Sequence, residues 1–264
     1  MKVRSRALLL FGIFLGIAVT AFPIKSIIPE EEIESYVRDG NQCLTMDDLD
    51  GAITAFSKAI EGMAQSKPKK DYALAYYKRG RAYERKEYLS EALSDYRKST
   101  EYNPMFLLGY YGSAEILLER RDFAGALADY QKILEIDSNQ PHACNNIGLV
   151  YVRQNDYEHA IPWFTKAITI DPDFINAHHN RAVAYLNQKN YFEAILDLDK
   201  EVELLPTSFV AKNYRLAVRH FFNKRYHEAW QSVKMLMKTK EQISPVFIEE
   251  LKAASGFDGL KPEE

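Results

Sequence analysis

Sequence punctuation is scarce in this chain. Its 264 residues include only two cysteines, Cys43 and Cys144, with 12 glycines and 10 prolines, too few turn formers for an all-β fold and too few cysteines for a disulfide framework. There is no Gly-x-x-x-x-Gly-Lys, no Gly-x-Ser-x-Gly and no His-Glu-x-x-His, so phosphate cradling, an esterase nucleophile and zinc hydrolysis all lack a motif. His178, His179 and His142 come without a His-x-x-x-His or Cys-x-x-Cys spacing, and no metal or other cofactor is expected. Net charge is −3, and more negative if Lys2, Arg4 and Arg6 are removed with a leader. That balance argues against nucleic acid or an anionic membrane surface as the partner.

Hydrophobic residues, at 47%, are plentiful, and the longest charge-free run comes first. Behind Lys2, Arg4 and Arg6, residues Ala7 to Phe22 carry no charge, and Val19-Thr20-Ala21 offers small side chains where a signal peptidase cuts. Residues 1–25 therefore read as an export signal cleaved after Ala21, or as a retained membrane anchor, since a spanning helix needs about 17–25 residues. Both place the body outside the cytoplasm, periplasmic or secreted, with membrane contact only through this segment.

Residues 26–244 carry an internal period of 34. In the stretch 141–174, Ile147-Gly148, Tyr151, Tyr157, Ala160, Phe164, Ala167 and Pro172 occupy positions 7, 8, 11, 17, 20, 24, 27 and 32. The same slots recur in units 33–66, 73–106, 107–140, 175–208 and 210–243, with an insert at Lys67 to Tyr72 and a one-residue slip expected in the loop after Pro206. Small residues at 8 and 20 let two helices approach, aromatics at 4, 11 and 24 fill the space beside them, and Pro at 32 ends the second helix. Asp156 and Asn190 read as N-caps of second helices, and Pro162 as an interruption inside one. Pro245 to Gly256 reads as a capping helix and 257–264 as a tail.

This pattern resembles the tetratricopeptide repeat family across six units. The resemblance implies an all-α, right-handed superhelix of antiparallel helix pairs, an α-solenoid, and a non-catalytic scaffold that binds a peptide or protein in its concave groove. The alternative is a structural component of the cell envelope acting by self-association. Groove positions 2, 5, 6, 9, 12 and 13 of the first helices supply the candidate residues: Tyr77, Lys78, Arg81 and Arg85; Tyr111; Asn145, Asn146 and Arg153; Asn176, His179 and Asn180; Tyr214 and Arg215. Asn146 and Asn180 recur at position 6, where an amide offers a peptide backbone both donor and acceptor. Of the carboxylate clamp found in some members, only Asn180 and Arg215 are matched. Cys43 and Cys144 fall at core positions 11 and 4, three units and roughly 30 Å apart, so no disulfide is expected.

Overall fold

The computed structural model describes residues 28–64, 70–239 and 242–256. The export signal or anchor at 1–25, with its cleavage point after Ala21, and the tail 257–264 lie outside the described residues. Within them there are α-helices and turns and no strand. Six helix pairs follow one another: α1 (Glu30–Thr45) with α2 (Leu49–Met63), α3 (Lys70–Arg85) with α4 (Leu89–Tyr102), α5 (Leu107–Glu119) with α6 (Phe123–Ile136), α7 (Pro141–Arg153) with α8 (Tyr157–Ile170), α9 (Ile175–Asn187) with α10 (Tyr191–Leu204), and α11 (Phe209–Phe222) with α12 (Tyr226–Leu236). A last helix, α13 (Pro245–Ser255), closes the described chain. Among the described residues no helix is long and apolar enough to cross a membrane.

The periodic positions are the core. Position 20 is Ala52, Ala92, Ala126, Ala160, Ala194 and Ala229, every one fully buried. Position 24 is Phe56, Tyr96, Tyr130, Phe164, Leu198 and Val233, also buried, and each such side chain contributes about 1.5–3 kcal/mol. The small residue at position 8 makes room for that aromatic. A Cβ on Gly148 would stand 2.5 Å from Cε1 of Phe164, and one on Gly80 would stand 2.9 Å from the Tyr96 ring.

The turn between the paired helices is equally regular. Asp47, Glu87, Arg121, Asn155, Lys189 and Lys224 all have φ between 61° and 63°, a left-handed conformation that ends each first helix. The following N–H closes the motif onto a carbonyl five residues back, as from Asp122 to Leu117 and from Asp156 to Tyr151. Asp48, Asp122 and Asp156 then cap the second helix by accepting from Gly51, Gly125 and His159 N–H groups. Asn190 occupies the same place but does not cap; its amide nitrogen donates to Gln188. Pro162 sits inside α8, where it cannot donate to the Glu158 carbonyl.

Two irregularities fall elsewhere than the sequence suggests. The slip lies in α11, not in the loop after Pro206. Four residues join α10 to α11, as four join α8 to α9, while α11 has 14 residues to the 13 of α9. The insert at 67–72 is partly helical, since α3 begins at Lys70, and Tyr72 is buried in a stack on Tyr102 with ring centroids 4.7 Å apart. Both cysteines are free, Cys144 buried and Cys43 only half-buried.

Candidate functional site

Neighbouring repeats pack so that α3 touches α5 and α7 touches α9, whereas second helices make no comparable contact with one another. First helices therefore line the tighter, inner surface. The site is this surface, and its side chains fall into three groups.

At the joint of the first two repeats the cations are already engaged. Lys78 donates to the Asn41 side chain, Arg85 to Asp47 and to the Leu44 carbonyl, and Arg81 pairs with Glu84 at 3.2 Å while donating to the Tyr77 hydroxyl. The basic stretch of the sequence is thus largely spent on the first repeat and on its own helix. Tyr77 packs its ring against Tyr96 and Phe106.

Below it a concavity of about 570 Å³ is lined by Glu84, Glu115, Leu118, Glu119, Arg121, Phe123 and Arg153. Of the predicted residues only Arg153 lines it. Burial and the Glu84 carboxylate push the Glu115 carboxyl up, against the pull of Arg81. Glu84 was legible as position 12 of its repeat. Arg121 and Phe123 belong to the turn and second helix, which a search confined to first-helix positions passes over.

In repeats three to five, side chains are linked in series. Asn180 donates to Oδ1 of Asn145 at 2.9 Å, Asn145 donates to Oδ1 of Asn146 at 3.2 Å, and Asn146 donates to the Tyr130 hydroxyl at 3.4 Å. Asn145 is buried; it orients its neighbours and is not itself open to a ligand. Tyr111 donates to Gln140, and burial pushes its hydroxyl up to about 12. Asn176 is exposed. His179 meets Glu201 at 3.0 Å and stacks on Tyr214. Two more candidates depart from an open groove face. Tyr214 is fully buried, its hydroxyl accepting from the Ser244 N–H, and Arg215 reaches toward Asp199 on α10. Among the described residues no three His, Cys, Asp or Glu side chains gather as a metal site.

Family models for tetratricopeptide repeats match residues 77–141 and 148–189. The array is built of tetratricopeptide repeats. Among curated proteins none matches the chain, but solved structures share the fold. A tetratricopeptide repeat protein from Parabacteroides merdae is 18% identical with a TM-score of 0.68, covering 86% of this chain and 88% of its own. The MamA protein is 24% identical with a TM-score of 0.57, over 66% and 92%. YrrB, described as a tetratricopeptide protein with an unusual peptide-binding site, is 24% identical with a TM-score of 0.54, over 69% and 90%. At these identities the tetratricopeptide likeness is one of fold.

Proposed function

We propose that this protein is a non-catalytic scaffold that holds an extended peptide or protein segment on the inner face of its first helices, centred on repeats three to five. The observation that carries the reading is the amide series from Asn180 through Asn145 and Asn146 to Tyr130. It holds the half-buried Asn146 and Asn180 amides in one orientation, and fixed polar groups recognise a backbone at lower ordering cost than free ones. The peptide-binding site named for YrrB supports the same use of the fold. Residues 1–25 support export of the body from the cytoplasm, whether cleaved after Ala21 or kept as an anchor, and intact mass of the mature chain separates the two.

Self-association through an end face has less support. The first turn of α1 presents Glu30, Glu31 and Glu32, and α13 presents Glu249 outward.

The test is a photo-crosslinking residue at Asn176 in the full chain, followed by affinity measurement on the captured partner. Asn146→Ala with Asn180→Ala should weaken capture by about tenfold or more, the equivalent of one or two hydrogen bonds. Unchanged capture would remove the groove from the proposal.

A further inference from the structure

The last helix does not continue the array. A first helix in this protein lies along the second helix before it, and where four residues join repeats, as between Ile170 and Ile175, that packing is enforced. After Leu236 the chain takes a longer path, and α13 starts only at Pro245. It then touches α12 lightly and reaches back to α9, two repeats' worth of first helix away.

What α13 covers is groove. The Ser244 N–H donates to the Tyr214 hydroxyl at 3.1 Å, and the Ser244 hydroxyl donates to Oδ1 of Asn187 at 3.1 Å. Tyr214 is position 5 of repeat six and Asn187 is position 13 of repeat five, both inner-face positions in the repeat register. Glu250 pairs with Lys189 at 2.6 Å. Phe247 meets Phe221 edge to face at 5.3 Å, and Phe247 and Leu251 are fully buried among the side chains of α9 to α12. The helix is also self-contained: Ser244 caps it, Pro245 opens it, and Gly256 ends it at φ 65°. Its fully buried apolar anchors are two, Phe247 and Leu251, four residues apart, with Ile248 partly buried beside them, while Trp230 Nε1 donates to the Ser255 hydroxyl at 3.1 Å.

We propose that α13 is an intramolecular ligand of the groove, seated on repeats five and six, and that the partner for this end is an amphipathic helix with an aromatic and an aliphatic anchor four residues apart that displaces it. This deepens the scaffold reading and rests on it for the identity of the surface. Binding at this end is then gated by release of α13, and the apparent affinity is reduced by the fraction of molecules in which α13 is seated.

The experiment uses the full chain and a labelled synthetic peptide of residues 244–256 as probe, read by fluorescence anisotropy. Phe247→Ala with Leu251→Ala should vacate the surface, and that variant should bind the probe at least about tenfold more tightly than wild type. Equal binding by the two proteins, or none by either, overturns the proposal. Hydrogen exchange on wild type gives a second reading that needs no variant: the amides of α13 should open well before those of α11 and α12. Protection of α13 equal to theirs also overturns it. Because the probe is the chain's own segment, failure here leaves the Asn146 and Asn180 test standing, and failure of that test leaves this one standing.

Discussion

Repeats two and five contain the same polar joint built around different neighbours. In repeat two, Arg79 grips Asp95 with Nε and Nη2 at 2.7 and 2.8 Å and donates Nη1 to Ser57 of the repeat before. In repeat five, Arg181 grips Asp197 at 2.8 and 2.7 Å and donates to Thr165 of the repeat before. Both aspartates are buried. Position 4 distinguishes them. In repeat two it is Tyr76, which lies beneath the Arg79 guanidinium at 5.4 Å and stacks on Tyr102. In repeat five it is His178, whose Nδ1 meets Asp197 at 2.9 Å and whose Nε2 meets the Pro172 carbonyl at 3.0 Å. One joint is shielded by aromatic rings; the other adds a titratable group. The same ion pair thus serves both repeats, but only in repeat five does a histidine join it.

The largest break in this comparison comes from removing the shared carboxylate. Asp197→Ala strands both Arg181 and His178, and should cost about 4–5 kcal/mol by urea denaturation, at the upper end for a broken buried pair. Asp95→Ala strands Arg79 alone and should cost about 3 kcal/mol. Equal losses would mean that His178 contributes nothing to the joint.

Acidity separates the two repeats next. Burial works to lower the His178 pKa, but the Asp197 carboxylate and the Pro172 carbonyl together raise it above its ordinary 6.5, while Arg181 opposes them. Both ring nitrogens face acceptors, so the geometry suits the doubly protonated ring. Below the ordinary value folded and unfolded chains are both protonated and the contact is fully present. Above it the unfolded chain releases its proton first, and stability falls with rising pH until the folded pKa is passed. Thermal unfolding between pH 6 and 8.5 should show that decline, and His178→Gln should flatten it. His159, exposed beside Asp156, is raised too, through its hydrogen bond to that carboxylate; His159→Gln should leave most of the decline in place. A decline that survives His178→Gln assigns the proton elsewhere.

These joints show where sequence reading stops. The repeat was legible because position 8 against position 24 is a steric rule that each unit repeats alone, as Gly148 against Phe164 shows. The joints were not, because Arg79, Asp95 and Ser57 come from three helices of two repeats, although the shared 16-residue spacing of Arg79 to Asp95 and Arg181 to Asp197 was there to find. Groove chemistry was legible by position but not by availability: Lys78, Arg81 and Arg85 sit where the register puts them, yet each already holds a partner. Tyr214 fails for a tertiary reason, since α13 covers it.

The finest difference between the two repeats lies in the left-handed turn residues. Glu87 and Lys189 hold φ of 62° and 63°, where a side chain costs about 1 kcal/mol or more relative to glycine. Glu87 is exposed and forms no ion pair among the described residues, so Glu87→Gly should raise stability by about 1 kcal/mol, with the unfolded chain's added freedom taking back part of the relief. Lys189 has the same backbone but holds Glu250 of α13 at 2.6 Å, and an exposed pair of that kind offsets up to about 1 kcal/mol. Lys189→Gly should therefore leave global stability nearly unchanged while hastening hydrogen exchange in α13 alone. If both glycine variants gain equally and α13 exchanges as before, the Lys189 contact does not hold the last helix, and its attachment rests on Phe247 and Leu251.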